Sequence, residues 1–284
     1  MFDIIKKTLL IIVVLTLGAC SNSNAIDIKE TLIIDSSNFI IEKENEDTIT
    51  VNASIIINYT KDELMGRVVP KNDTSFSLIE KEHTAKSKIY LRKEAYSAFC
   101  RMYDAAKKDG FKLNIISAFR SNYHQQLIWE SKWIGKRKVN GQNLSLQVKD
   151  EVERAKIILQ YSSMPGSSRH HWGTDVDIYS LENSTFESGY GLKIYSWLQK
   201  HAAEYGFYQV YTAGRSVGYN EEKWHWSYLP IAKPMLDAYK NNISTDDFKG
   251  FKGSKTAKEI GIIDNYVLGI NVECLNKLEL GIDN

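Results

Sequence analysis

Cysteine and proline are scarce: three cysteines and four prolines in 284 residues exclude a disulfide-dense scaffold and a proline-rich repeat. Charge of one sign is also missing. Thirty-six basic against 35 acidic residues leave a formal net charge of +1 with no block of like charges, which excludes the usual footprint of a nucleic-acid binder. The main apolar run, Thr8 to Leu17, is too short to span a bilayer comfortably. No internal repeat or low-complexity tract appears, so solenoids and fibrous architectures fall away. What is present is ordinary globular composition, 43% hydrophobic and 25% charged, enough for one main domain with extensions.

Lys6-Lys7 precede the apolar run, which closes in Leu17-Gly18-Ala19-Cys20, the layout of a secretory signal. Those last four residues resemble a bacterial lipobox. The resemblance implies cleavage before Cys20 and lipidation of its thiol. Residues 1–19 are therefore expected as a lipoprotein signal peptide, and the mature chain as a cell-envelope protein anchored to the membrane through Cys20. Ser21 points to outer-membrane sorting if the cell is Gram-negative, facing the periplasm. Lipidation of Cys20 leaves Cys100 and Cys274 either as a disulfide pair in an oxidising compartment or as two buried thiols.

Ser21 to about Asp47 is polar and mixed and reads as a tether, although Leu32-Ile33-Ile34 and Ile55-Ile56-Ile57 could form short strands. The expected division is 20–75 as tether and N-terminal extension, 76–238 as the working domain, and 239–284 as a C-terminal extension. Within the domain, apolar spacing of three and four predicts helices over 91–108, around Gln125 to Trp129, over 146–160 and over 192–205. Strands are predicted over 111–116, from His170 to about Tyr179, over 207–211 and over 224–228, with a Gly-rich turn region at 212–220. The mixture lacks a regular strand-helix alternation, so the expected class is α+β, with a small, largely antiparallel sheet flanked by helices. In the tail, 266–268 and 270–272 could add an edge strand or pad the domain.

The chemistry concentrates in Ser168-Arg169-His170-His171-Trp172-Gly173-Thr174-Asp175-Val176-Asp177 and in Glu222-Lys223-Trp224-His225-Trp226. His170, Asp177 and His225 supply three zinc-ligand side chains, which leaves one tetrahedral position for water, as in a catalytic site. The backbone must bend between His170 and Asp177, and Gly173 is suited to that. Glu222, three residues before His225, is placed to act as a general base without binding the metal. His171 and Asp175 read more simply as structural or solvated, with Asp175 alternatively orienting a ligand histidine. Trp172, Trp224 and Trp226 read as wall or core. Arg120, in Ser117-Ala118-Phe119-Arg120-Ser121, carries a planar guanidinium suited to a carboxylate; a surface ion pair is the plainer alternative.

Together, Ser-x-His-x-x-Gly-x-x-x-Asp and Glu-x-x-His resemble the metal signature of the LAS peptidases, and within them the VanY-type D-alanyl-D-alanine carboxypeptidases. The likeness covers roughly Phe76 to Ala238, with Ser117 to Ser121 and Gln125 standing for a further family segment. It implies the LAS, or hedgehog-type, peptidase fold and one zinc ion held by His170, Asp177 and His225. It further implies that Glu222 activates zinc-bound water, Arg120 holds the terminal carboxylate, and Gln125 and Ser168 position the peptide. The implied function is removal of the C-terminal D-Ala from peptidoglycan stem peptides. An L,D-carboxypeptidase or an endopeptidase of the same fold is the near alternative. A non-catalytic, zinc-stabilised wall-binding module is the distant one, and Glu222 and Arg120 argue against it. Two departures stand out: Asp175 where the family more often has Ala, and Ala118-Phe119 for Gly-Tyr.

Overall fold

The structure, a computed structural model, describes residues 58–276 and two strand fragments, β1 (Ile11–Val13) and β2 (Ala53–Ile55). These fragments pair antiparallel, Ile11 opposite Ile55, in a unit spanning Met1–Asn58. Cys20 and the expected strand at 32–34 lie outside the described residues. The second unit runs Tyr59–Asn284 and carries all the candidate site residues but Cys20. Among the described residues no helix is long and apolar enough to cross a membrane.

In this second unit β3 (Phe76–Leu78) pairs with β4 (Tyr90–Arg92). A four-stranded antiparallel sheet follows in the order β5 (Ile115–Ser117), β6 (Asp175–Ile178), β8 (His225–Tyr228) and β7 (Phe207–Gln209). The longer helices are α2 (Lys93–Lys108), α3 (Asn122–Trp133), α5 (Glu151–Leu159), α6 (Gly189–His201) and α7 (Leu229–Asn242). Single turns α1 (Lys61–Leu64), α4 (Leu144–Gln147), α8 (Ala257–Ile260) and α9 (Val272–Leu275) complete the set. The α+β expectation is met, and the sheet is antiparallel throughout.

The central strands carry the logic of the fold. β6 reads Asp-Val-Asp-Ile and β8 reads His-Trp-Ser-Tyr, so the two-residue period divides each strand between two faces. The register sets Asp175 against Ser227, Val176 against Trp226, and Asp177 against His225. One face is therefore polar and the other apolar. Val176, Ile178 and Trp226 join the buried stripe of α2, including Phe99, Met102 and Ala106, in one hydrophobic cluster. A second cluster gathers Trp129, Trp133, Trp172, Leu229 and Tyr239 with tail residues such as Phe248, Ile262 and Val267.

Several expected elements are trimmed, each for a local reason. The strand expected at 111–116 is formed only over Ile115–Ser117, because Phe111 N donates to Ala106 O and so closes the end of α2 instead. The helix expected at 146–160 is broken: the Asp150 side chain accepts from Glu153 N and starts α5 afresh. His170 sits on a tight turn, Arg169–Trp172, which closes at Gly173 before β6 begins. The compact body is wider than 76–238, since Leu64 and Met65 are buried and Trp172 Nε1 donates to Leu64 O at 3.0 Å. The tail at 266–272 adds no strand and pads the second cluster. Of the two alternatives for Cys100 and Cys274 the structure has free thiols and no disulfide between them, with Cys100 packed half-buried against the α2 cluster and Cys274 buried in the other.

Candidate active site

Local geometry brings the ligand set together from three places. The turn at 169–172 ends on Gly173 at φ 67°, where a side chain would meet the Phe76 ring at 2.4 Å, so only glycine fits the bend. That bend lets His170 approach Asp177 although they are seven residues apart. The β6–β8 register then sets His225 beside Asp177. One ligand atom each from His170, Asp177 and His225 lies within 4.8 Å of the others, and all three side chains are buried. The three residues nominated from sequence as a zinc set converge.

Each histidine is held by the nitrogen that the metal would not use. His170 Nδ1 donates to Ala118 O at 2.8 Å, which leaves Nε2 facing Asp177 Oδ2 at 3.3 Å. His225 is turned the other way: Nε2 donates to Asp175 Oδ2 at 2.9 Å, and Nδ1 faces Glu222 Oε2 at 3.1 Å and Asp177 Oδ1 at 3.5 Å. Asp175 is thus not a solvated carboxylate. It also accepts from Arg169 Nε at 3.0 Å, Ser227 Oγ at 2.6 Å and Thr174 Oγ1 at 2.7 Å. Arg169, buried and stacked 4.5 Å over Trp172, had no sequence signal of its own; its role appears only with strand pairing.

The electrostatics fit a cation. Burial opposes charge on His225, but the carboxylates of Asp175, Glu222 and Asp177 outweigh it and lift its pKa to about 10. Burial likewise opposes ionisation of Asp177, yet His170, His225 and Arg120 hold its carboxyl down at about 2. Asp177 Oδ1 is buried without a hydrogen-bond partner among the described residues. An ionised carboxylate oxygen left so, beside two imidazole nitrogens, has the donor chemistry of a zinc ligand.

His171 is the structural member of the pair. Its Nδ1 donates to Arg120 O at 2.6 Å while Nε2 accepts from Gly166 N at 3.1 Å, and burial pushes its pKa down to about 3. Arg120 is aimed by two contacts, Nη1 to Gln125 Oε1 at 2.9 Å and Nη2 to Ser117 Oγ at 3.0 Å, and lies 3.9 Å from Asp177 Oδ2. Gln125 is itself fixed through Nε2 to Ser163 O at 2.7 Å. Gln125 therefore acts on Arg120 rather than lining the cleft. Ser168, with Arg120, Glu222 and the three ligands, lines a cleft of about 670 Å³. Tyr211 and Tyr219, unmarked in the sequence, line it too, with the Tyr211 ring edge-on to His225 at 4.8 Å.

Residues 88–231 match the family model for VanY, D-alanyl-D-alanine carboxypeptidase. The chain is similar to Bacillus subtilis YodJ, named as a carboxypeptidase, at 32% identity over 197 residues, covering 67% of this chain and 62% of that protein. It is also 30% identical over 132 residues to a D-alanyl-D-alanine carboxypeptidase of Enterococcus faecalis, covering 46% of this chain and 45% of that one. The matched stretches are therefore less than two thirds of these relatives' length. Among solved structures it is similar to VanYB in complex with D-alanine-D-alanine, with a TM-score of 0.44, 19% identity, and 61% of this chain and 87% of that chain covered. The LdcB LD-carboxypeptidase gives a TM-score of 0.44 and 24% identity over 66% of this chain and 79% of its own. With the family model spanning half of its length, from the strand before α2 to the start of α7, the chain belongs to the VanY D-alanyl-D-alanine carboxypeptidase family.

Proposed function

We propose that the chain is a zinc-dependent carboxypeptidase that removes the C-terminal D-alanine from peptidoglycan stem peptides. The observation that carries the reading is a buried His170, Asp177 and His225 cluster sharing one cleft with Glu222 and with a guanidinium aimed by two side chains. A bound zinc ion supplies Lewis-acid chemistry at the cluster, acidifying water and polarising a carbonyl. Glu222, with Oε2 3.1 Å from His225 Nδ1, stands at the edge of the ligand set and takes the proton from the attacking water. It then returns that proton to the leaving amine. Arg120 holds the terminal carboxylate in register, so that a single residue leaves. Ser117 and Gln125 keep the guanidinium from turning, and Ser168 lines the path of the peptide.

The test is release of free D-Ala from a pentapeptide ending in D-Ala-D-Ala, lost with a chelator and restored by zinc. Glu222→Gln is expected to retain zinc while kcat falls about 10²- to 10⁴-fold. Comparable turnover in that variant removes the base assignment, and a fragment other than free D-Ala in the mass spectrum moves the cut to another bond.

The same reading places the protein at the cell envelope, anchored by lipid on Cys20, where such peptides are found. Its support is the Leu17-Gly18-Ala19-Cys20 segment after a charged and apolar leader. Cys20→Ser is expected to shift the protein from the membrane fraction to the soluble one. A variant that stays with the membrane rules out the anchor.

A further inference from the structure

Two cations that line the cleft, Lys132 and Arg137, have no task in this reaction, and Lys132 is the buried one. Gln125, Ile128 and Lys132 recur at spacings of three and four on α3, so they share one helix face. From Gln125, which holds Arg120, to Lys132 is about 10 Å along the helix, at a rise of about 1.5 Å per residue. Ile128 and Lys132 line the same cleft as the metal cluster, and Arg137 lines it beyond α3.

Lys132 is only 5% exposed. Its Nζ donates to Ser162 Oγ at 2.6 Å and lies 5.9 Å from the centre of the Tyr161 ring. No carboxylate pairs with it among the described residues. Burial, then the neighbouring guanidinium groups of Arg137 and Arg120, pushes its pKa down to about 8. A buried ammonium normally has a carboxylate against it, because removing the charge from water is costly. Among the described residues one hydroxyl supplies the ammonium's only hydrogen bond, and the neighbouring guanidinium charges repel it. A purely structural role would be served as well by methionine, at lower cost. Two N–H donors of the ammonium remain for a ligand entering the cleft.

We propose that Lys132 is a second carboxylate-binding point of the cleft, taking an anionic group of the substrate other than the terminal carboxylate held by Arg120. The proposal rests on the carboxypeptidase reading for the identity of that substrate. The ligand is then a peptide with two carboxylates, one terminal and one internal. Ile128 faces the apolar stretch between them, and Arg137 adds positive potential at the far end.

Three peptides ending in D-Ala test this: one with an internal glutamate, its glutamine counterpart, and the glutamate peptide with its C-terminus amidated. Reductive methylation of the zinc-loaded protein, mapped by mass spectrometry, reads Lys132 without turnover. The glutamate peptide is expected to slow modification of Lys132 several-fold, and the glutamine peptide to leave it unchanged. Equal effects, or none, overturn the proposal. Protection that disappears only on amidating the terminus also overturns it, by making Lys132 a partner of Arg120 on one carboxylate.

In steady-state kinetics the KM of the glutamate peptide should lie about tenfold or more below that of the glutamine peptide, the scale of one charge-assisted hydrogen bond. Lys132→Met should erase the difference while melting no lower than the parent, since it removes an unpaired buried charge. Equal KM values in the parent protein again overturn the proposal. Failure of the carboxypeptidase reading is distinguishable: no peptide releases D-Ala, while the labelling result still reports on Lys132.

Discussion

His225 offers two ring nitrogens, and the fold assigns each a separate neighbour. Asp175 accepts from Nε2, so Nδ1 is turned toward Asp177 and Glu222. The orientation is secured because Asp175 is itself gripped by Arg169, Ser227 and Thr174. Asp175→Asn keeps the shape but weakens that grip, and it is expected to lower zinc affinity about 10- to 100-fold, measured by competition with a chelating dye. Unchanged affinity would leave Asp175 as a partner of Arg169 alone. Asp175→Ala should be worse for the fold, at about 3–5 kcal/mol, because it strands the buried guanidinium of Arg169. From the sequence, Asp175 reads more simply as structural or solvated than as the partner of a ligand histidine. The choice depends on Ser227, which sits opposite Asp175 only once β6 and β8 have paired.

Pairing and alternation also explain which elements were readable. The stripe of α2 is a local periodicity and the helix forms over Lys93–Lys108, close to its expected span, whereas the strand expected from His170 starts only at Asp175, because the turn at Arg169–Trp172 intervenes. The break before α5 and the short β5 depend on single hydrogen bonds, from Glu153 N to Asp150 and from Phe111 N to Ala106 O, which periodicity does not encode. Connections between segments are equally invisible to it. His171 joins the loop at Gly166 to the segment at Arg120 as a neutral ring, with one nitrogen donating and the other accepting. Its pKa is lowered from 6.5 to about 3, so its folded ring stays neutral where the unfolded one takes a proton. The stability linked to it is therefore complete above pH 6.5 and declines as pH falls below it. Asp175 and Asp177, depressed from 3.8, add to the loss only below about pH 4, and His225, raised to about 10, loses its contribution on the alkaline side. Between pH 6.5 and 4 the urea midpoint should fall, by about 1.4 kcal/mol per pH unit at most from this one ring. His171→Gln is expected to be less stable at pH 7 and to flatten that slope; an unchanged slope would place the acid sensitivity elsewhere.

At the scale of the whole molecule, the segment after α7 decides whether the site can stand. The sequence carries no catalytic motif there, so residues 239–284 read as an extension, yet Ile243, Phe248, Ile260, Ile262 and Val267 are buried with Trp129, Trp172 and Tyr239. Tail backbone also reaches the site. Asn271 N donates to Val210 O at 2.8 Å, and Arg215 ties Gly269 O to the carbonyls of Thr212 and Tyr219, bracing the loop that leads to Glu222. Each large apolar side chain fully buried contributes about 1.5–3 kcal/mol, and a domain's net stability is only about 5–15 kcal/mol. Removing five such residues, about 7.5–15 kcal/mol, is therefore as large as what the fold holds in reserve. A chain covering 59–238 is expected to be insoluble or to lack a cooperative unfolding transition, whereas 59–276 should melt cooperatively and bind zinc. Reducing agent should leave the melting of 59–276 unchanged, since Cys100 and Cys274 are free thiols in separate clusters. If 59–238 unfolds cooperatively and retains zinc, the tail is an accessory, and the bracing of the Glu222 loop must come from Arg215 and Tyr219 within the shorter chain.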